Sequence, residues 1–105
     1  MNRYLVIRSE KAAENIEDIY HYIAFVLDNL KAAQDIYYEI NKRIDSLVYY
    51  PQRFQLIQNN VLDITGLRAT HVGKYTIYFL VEDNHYVVRV LAVLYSGMDI
   101  NKAAL

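Results

Sequence analysis

The chain contains no cysteine. A disulfide framework, a thiolate nucleophile and any cysteine-based zinc site are therefore excluded. Glycine is scarce, with three residues scattered at Gly66, Gly73 and Gly97, so no glycine-rich loop is present to cradle a nucleotide phosphate. Proline occurs once, at Pro51. No sign of charge dominates: eleven Lys and Arg against twelve Asp and Glu give a formal net charge of −1. Overall electrostatic capture of a nucleic-acid duplex has no support from that balance, and only a local basic patch stays open. The longest apolar run, near the C-terminal end, is interrupted by Arg89, so no membrane span is expected. Leu5-Val6-Ile7 is too short for the apolar region of a secretory signal, and Arg8, Glu10 and Lys11 follow at once. The cytoplasm is the expected compartment. His21, His71 and His85 have no metal-ligand spacing, and Ser9, Ser46 and Ser96 have no nucleophile-elbow context. No cofactor and no metal are expected.

What the chain does have is apolar surface. It is 54% hydrophobic over 105 residues, enough for one real core in one domain spanning residues 1–105 and too short for two. A chain of this length buries roughly two-thirds of its unfolded surface.

Arg3 to Arg8 reads as a short strand ending at Ser9, a helix N-cap with Glu10 well placed in the first turn. Ala12, Ala13, Ile16, Ile19, Tyr20, Ile23, Val26 and Leu27 then recur at helical spacing, with Glu14, Glu17, Asp18 and His21 off the stripe. The pattern breaks at Asp28-Asn29 and resumes through Ala33, Ile36, Tyr37, Ile40, Ile44, Leu47 and Val48 until Pro51 stops it. Two amphipathic helices with a short connection make a helical hairpin. Beyond Pro51 the period turns to alternation. Phe54 to Ile64 has room for one short strand. Leu67–Val72, Tyr75–Glu82 and His85–Tyr95 read as strands, with two-residue turns at Gly73-Lys74 and Asp83-Asn84.

The last strand is apolar on both faces: Tyr86, Val88, Val90, Ala92 and Leu94 on one, Val87, Leu91 and Val93 on the other. Such a strand belongs inside a sheet. Tyr75–Glu82 flanks it on one side, and Arg3–Arg8 is the remaining candidate for the other. The expected fold is α+β, a β-α-α-β(3-4) arrangement with the helical hairpin on one face of a mainly antiparallel sheet, first strand beside last. The second sheet face is then expected to be bare and apolar, which calls for an obligate partner.

The ordered series of segments resembles the RelE/ParE toxin superfamily of type II toxin–antitoxin systems. Ala12–Ile23 is similar to its first helix, and Ala32–Leu47 with Pro51 to its second. Gly66-Leu67-Arg68 through Gly73-Lys74-Tyr75 and Ile77-Tyr78 resembles its middle hairpin. Val88-Arg89-Val90-Leu91 with Leu94-Tyr95 and Asp99 resembles its last strand and tail. The resemblance implies a toxin held by a cognate antitoxin. RelE-like members are ribosome-dependent endoribonucleases that cut mRNA; ParE-like members poison DNA gyrase and cut no RNA themselves. Neither sequence-specific DNA binding by the toxin alone nor a membrane partner is implied.

Metal-free RNA cleavage needs a base for the 2′-hydroxyl, an acid for the leaving oxygen and cations for the charge that develops on phosphorus. The strand that in the nucleases commonly begins Tyr-Arg begins here Tyr75-Thr76, and the stretch before the tail Asp, often rich in Arg, is Ser96-Gly97-Met98. That depletion favours the ParE-like reading, with mRNA cleavage on the ribosome as the alternative. The candidate site residues are Arg68, His71, Lys74 and Tyr95, and the candidate partner-binding residues are Arg89 and Tyr95. Each has a plainer reading. Arg68 and Lys74 fit as solvated strand and turn residues, and His71 as a surface histidine, although an imidazole can act as acid and base near neutral pH. Arg89, alone among apolar neighbours, either snorkels to a sheet edge or pairs with a partner's carboxylate. Tyr95 is one of eleven tyrosines, most of which must be packing residues.

Overall fold

A computed structural model describes residues 2–57 and 64–97. β1 (Leu5–Arg8) leads into α1 (Glu10–His21), which runs on through a π-helical turn at Tyr22–Val26; α2 (Leu30–Asp45) follows, then 3₁₀ turns at Ser46–Val48 and Pro51–Arg53. β2 (Arg68–Val72), β3 (Tyr75–Glu82) and β4 (Val87–Tyr95) complete the described fold. Both helices start at side-chain caps, because an orphan amide of the first turn needs an acceptor. Ser9 accepts the Ala12 amide at 3.0 Å, and Asn29 accepts that of Ala32 at 3.0 Å. α2 ends before the proline, which biases Tyr50 out of the right-handed helical region; Tyr50 sits at φ 44°.

The sheet order is β1-β4-β3-β2. β1 runs parallel to β4, from Leu5 opposite Val87 to Arg8 opposite Val90, and the other pairs are antiparallel. β4 is therefore interior, as its two-sided apolarity requires. The helices lie on one face, where Ile16, Ile40, Ile44 and Leu47 pack against Ile77, Phe79, Val88, Val90 and Val93.

Four expectations need correction. Tyr78 pairs with Ala92 but Phe79 with Val90, so Leu91 is a bulge residue without a partner. The bulge switches parity: Val88, Val90 and then Val93 face the helices, while Ala92 and Leu94, opposite Tyr78 and Thr76, take the second face. Tyr86 lies outside the strand. The connection is four residues, Asp83 to Tyr86, and Tyr86 has φ 53°. Val26 and Leu27 leave the core, because the π turn breaks the helical period; they are exposed together with Tyr22 and Phe25, while Ile23 and Ala24 stay buried. The second sheet face is not uniformly bare either. Leu5 and Ile7 are exposed there, but Thr76, Ala92 and Leu94 are buried. Of the Phe54–Ile64 stretch, the described part supplies one bridge, Leu56 opposite Arg68; residues 58–63 lie outside the described ones.

The Gly73-Lys74 turn forms as expected, with Val72 opposite Tyr75. Gly73 adopts φ 55°, a conformation that favours glycine, and a Cβ there would meet Ile36 Cδ1 at 3.4 Å.

Candidate functional site

The four candidate residues do not form one site. Arg68 lies at the β2 end where the Gln55–Ile57 segment joins the sheet, and its guanidinium donates to the carbonyls of Gln52 at 3.1 Å and Phe54 at 2.8 Å. It staples the chain after Pro51 to β2. His71, on the same strand, is exposed and on the opposite face. Its Nδ1 lies 2.9 Å from Thr76 Oγ1, which in turn lies 2.8 Å from Ser96 Oγ. Thr76 is 2% exposed, so a chain of uncharged hydroxyls stands behind the imidazole.

His71 and Thr76 share a cleft of about 660 Å³ with Arg43, Arg53, Phe54 and Tyr78 that wraps the edge of β2. Both guanidinium groups are already engaged. Arg43 donates to Thr70 Oγ1 and to the His71 carbonyl, and lies 5.8 Å from the Phe54 ring centroid. Arg53 stacks on that ring at 4.2 Å and donates to the carbonyls of Tyr49 and Tyr50 and to Ser46 Oγ. Arg53 thereby satisfies carbonyls around the end of α2 that no helical turn serves, while Arg43 ties α2 to β2. Burial pushes the Tyr78 phenol above its usual range, opposed by a hydrogen bond with Thr76.

Lys74 and Tyr95 meet elsewhere, in a cleft of about 560 Å³ between the helical hairpin and the β2–β3 turn, lined also by Asn15, Asp18, Ile19, Tyr22, Leu27 and Tyr75. The Tyr75 and Tyr95 rings are edge to face, with centroids 6.0 Å apart. Burial raises the Tyr75 phenol first, and the neighbouring Tyr95 and Tyr22 hydroxyls raise it further. Lys74 on the turn and Asp18 on α1 place both signs of charge on the lining of a largely aromatic floor. That combination suits recognition of a protein side chain better than bond-breaking chemistry. Arg89 meets a carboxylate of its own chain: its Nε donates to Glu82 Oε1 at 2.7 Å, both half-exposed.

Sequence reasoning missed Arg43, Arg53, Tyr75 and Tyr78. Arg43 carried a usable signal, three residues after Ile40 and seven after Ile36, at the margin of an apolar stripe. Among the described residues there is no cluster of His, Asp and Glu able to hold a metal ion, and no helix long and apolar enough to cross a membrane.

Comparison with solved structures places this geometry. The chain is similar to a chain of the chromosomal ParDE system from P. aeruginosa, with a TM-score of 0.68 at 16% identity, covering 89% of this chain and 96% of that one. It is similar to a chain of the toxin–antitoxin complex RelBE2 from Mycobacterium tuberculosis, with a TM-score of 0.62 at 17% identity, covering 90% and 93%. A chain of the archaeal RelE–RelB complex from Pyrococcus horikoshii gives a TM-score of 0.61 at 21% identity, covering 90% and 97%. At these identities the likeness shows the fold. No curated protein matches. Residues 6–100 match the family described as the ParE toxin of the type II toxin–antitoxin system parDE, and the chain belongs to that family as the toxin of a type II toxin–antitoxin system.

Proposed function

We propose that this toxin acts by binding and inhibiting DNA gyrase, without cutting RNA, and that a cognate antitoxin neutralises it. The observation that carries the reading is the environment of Thr76. Where RelE-like nucleases commonly place an arginine, Thr76 is buried and engaged with His71 and Ser96. The arginines around it are already engaged: Arg43 and Arg53 on backbone carbonyls, Arg68 on the chain after Pro51, and Arg89 on Glu82. Removing one preorganised charge-stabilising donor costs about a hundred- to a thousandfold in rate, so this face is ill equipped to stabilise a phosphorane. The antitoxin reading is supported by the solved relatives, two of which are described as toxin–antitoxin complexes. Arg89 and Tyr95 are proposed to contribute to antitoxin binding, and Lys74 and Tyr95 to target binding.

One observation favours the alternative, a ribosome-dependent mRNA endoribonuclease: exposed His71 shares its cleft with Arg43 and Tyr78, which leaves an acid–base group beside a cation. The two readings separate in one experiment. Purified toxin is added to a gyrase supercoiling reaction and, separately, to a translating extract with labelled mRNA. Loss of supercoiling with intact mRNA is expected. Codon-dependent cleavage with normal supercoiling would overturn the gyrase reading.

A further inference from the structure

The end of the helical hairpin is apolar where a surface helix pair is ordinarily polar. Tyr22, Phe25, Val26, Leu27 and Leu30 are 51, 74, 67, 55 and 53% exposed. Counting an aromatic side chain at about 200 Å², the group leaves on the order of 500 Å² of apolar surface in water, at the upper end of what a lone monomer shows. A standard interface takes about 800 Å² from each partner. The hairpin end supplies most of that area.

The remainder lies directly beside it. The cleft of about 560 Å³ that holds Lys74 and Tyr95 adjoins a second of about 520 Å³ floored by Ile23, Ala32, Ile36 and Tyr75, and the two share Leu27, Lys74 and Tyr75. Projecting apolar side chains and an apolar groove with room for an aromatic ring thus occupy one patch. A surface with both shapes can close on a rotated copy of itself, because a two-fold contact makes each knob-to-groove pairing twice. Charge permits the same closure. Asp18, Asp35 and Glu39 line the clefts together with Lys74, and Lys31 stands next to Leu30, paired with Asp35 at 2.7 Å. Both signs are present, so two copies meet with opposite charges available to each other instead of one-sign repulsion.

We propose that two copies of this chain associate through their hairpin ends, the Phe25 ring of each seated in the groove between Ile36 and Tyr75 of the other. The π turn at Tyr22–Val26 is what makes this contact available, since it turns Phe25 and Val26 outward while Ile23 and Ala24 stay in the core.

The test is sedimentation equilibrium on the full chain from about 1 to 300 µM, a range that brackets a micromolar dissociation constant. Concentration-dependent dimerisation is expected. Phe25→Asp should weaken it by about thirtyfold or more, the loss of one central aromatic anchor, with circular dichroism and Tm unchanged because the side chain is exposed. Ala32→Arg, which blocks the groove and keeps the backbone amide that Asn29 caps, should do the same. Mixing the two variants should restore part of the association, since the intact groove of one still meets the intact Phe25 of the other. A wild-type chain that stays monomeric over the whole range, a Phe25→Asp chain that dimerises as before, or a mixture with no recovery would each overturn the proposal. If the chain is monomeric and Phe25→Asp instead abolishes antitoxin binding, the surface belongs to the antitoxin. Mass is the only readout for self-association, so the outcome does not depend on the cellular target.

Discussion

The Ser9 hydroxyl donates to the Leu91 carbonyl at 2.9 Å while its oxygen accepts the Ala12 amide at 3.0 Å. One side chain therefore ties the start of α1 to the bulge of β4, where the ladder loses a partner. The Ser9 amide adds a bond to the Val90 carbonyl at 2.9 Å, and Asn15 Oδ1 accepts the Val93 amide at 3.0 Å. The bulge decides which residues of β4 reach the core, so these bonds hold the register of the whole helix-facing side.

Ser9→Ala should lower unfolding stability by about 1–2 kcal/mol, a lost cap plus a bulge carbonyl left without its donor. Urea denaturation with an unchanged m-value checks it. A midpoint equal to wild type would show that strand pairing alone holds the bulge.

Much of this architecture was readable from residues. Ser9 and Asn29 sit just before apolar stripes, Gly73 stands at the first position of a tight turn, and β4 is apolar on both faces, which places it inside the sheet beside β1. The bulge was not readable, because Val90-Leu91-Ala92-Val93-Leu94 is apolar throughout and a parity switch inside it changes no residue type. The π turn hid for the same reason in Tyr22-Ile23-Ala24-Phe25-Val26. The candidate site was legible only as residue types. Arg68 looked like a free cation because its acceptors, the carbonyls of Gln52 and Phe54, lie outside its own strand, and periodicity says nothing about such a bond.

Arg68→Ala should therefore destabilise the fold, by about 1.5–3 kcal/mol for the loss of hydrogen bonds from a charged donor. Arg68→Lys should recover part of that, since an ammonium donates but lacks the fork that spans two carbonyls. Thermal unfolding of both variants reads the effect. An Arg68→Ala toxin that is as stable as wild type yet no longer arrests growth would return Arg68 to the functional site.

Tyr75 and Tyr78 give a pH signature. Burial raises both phenols above their ordinary value of 10.0. A folded pKa above the unfolded one means that the neutral phenol is favoured in the fold. That stability is fully present below about pH 10 and is lost as pH rises through the folded values. In a spectrophotometric tyrosinate titration, both should ionise late among the eleven tyrosines. Tyr75→Phe and Tyr78→Phe should each remove a late component and flatten the decline of stability above pH 10. Titration of all eleven together near pH 10 would contradict the burial argument.

Toxicity should follow the hairpin cleft and leave His71 aside. Lys74 and Tyr95 share that cleft, whereas His71 faces a chain of uncharged hydroxyls on the other side of the sheet. Tyr95→Phe keeps the edge-to-face pairing with Tyr75 and removes only the hydroxyl; Lys74→Ala removes a turn charge without disturbing Gly73. The double variant should weaken growth arrest at least about tenfold, the worth of one lost charge-assisted contact, with Tm shifted by no more than about 4 °C. Gly97→Ala should act in the same direction, because its Cβ would fall 2.9 Å from Tyr95 Cε1 and force the ring to move. His71→Ala, by contrast, should arrest growth as wild type does, since inhibition by binding needs no proton transfer at that position. Survival counts after induction, at matched protein levels, measure all three. If His71→Ala abolishes arrest while the double variant retains it, the working surface is the β2 edge and the nuclease reading prevails.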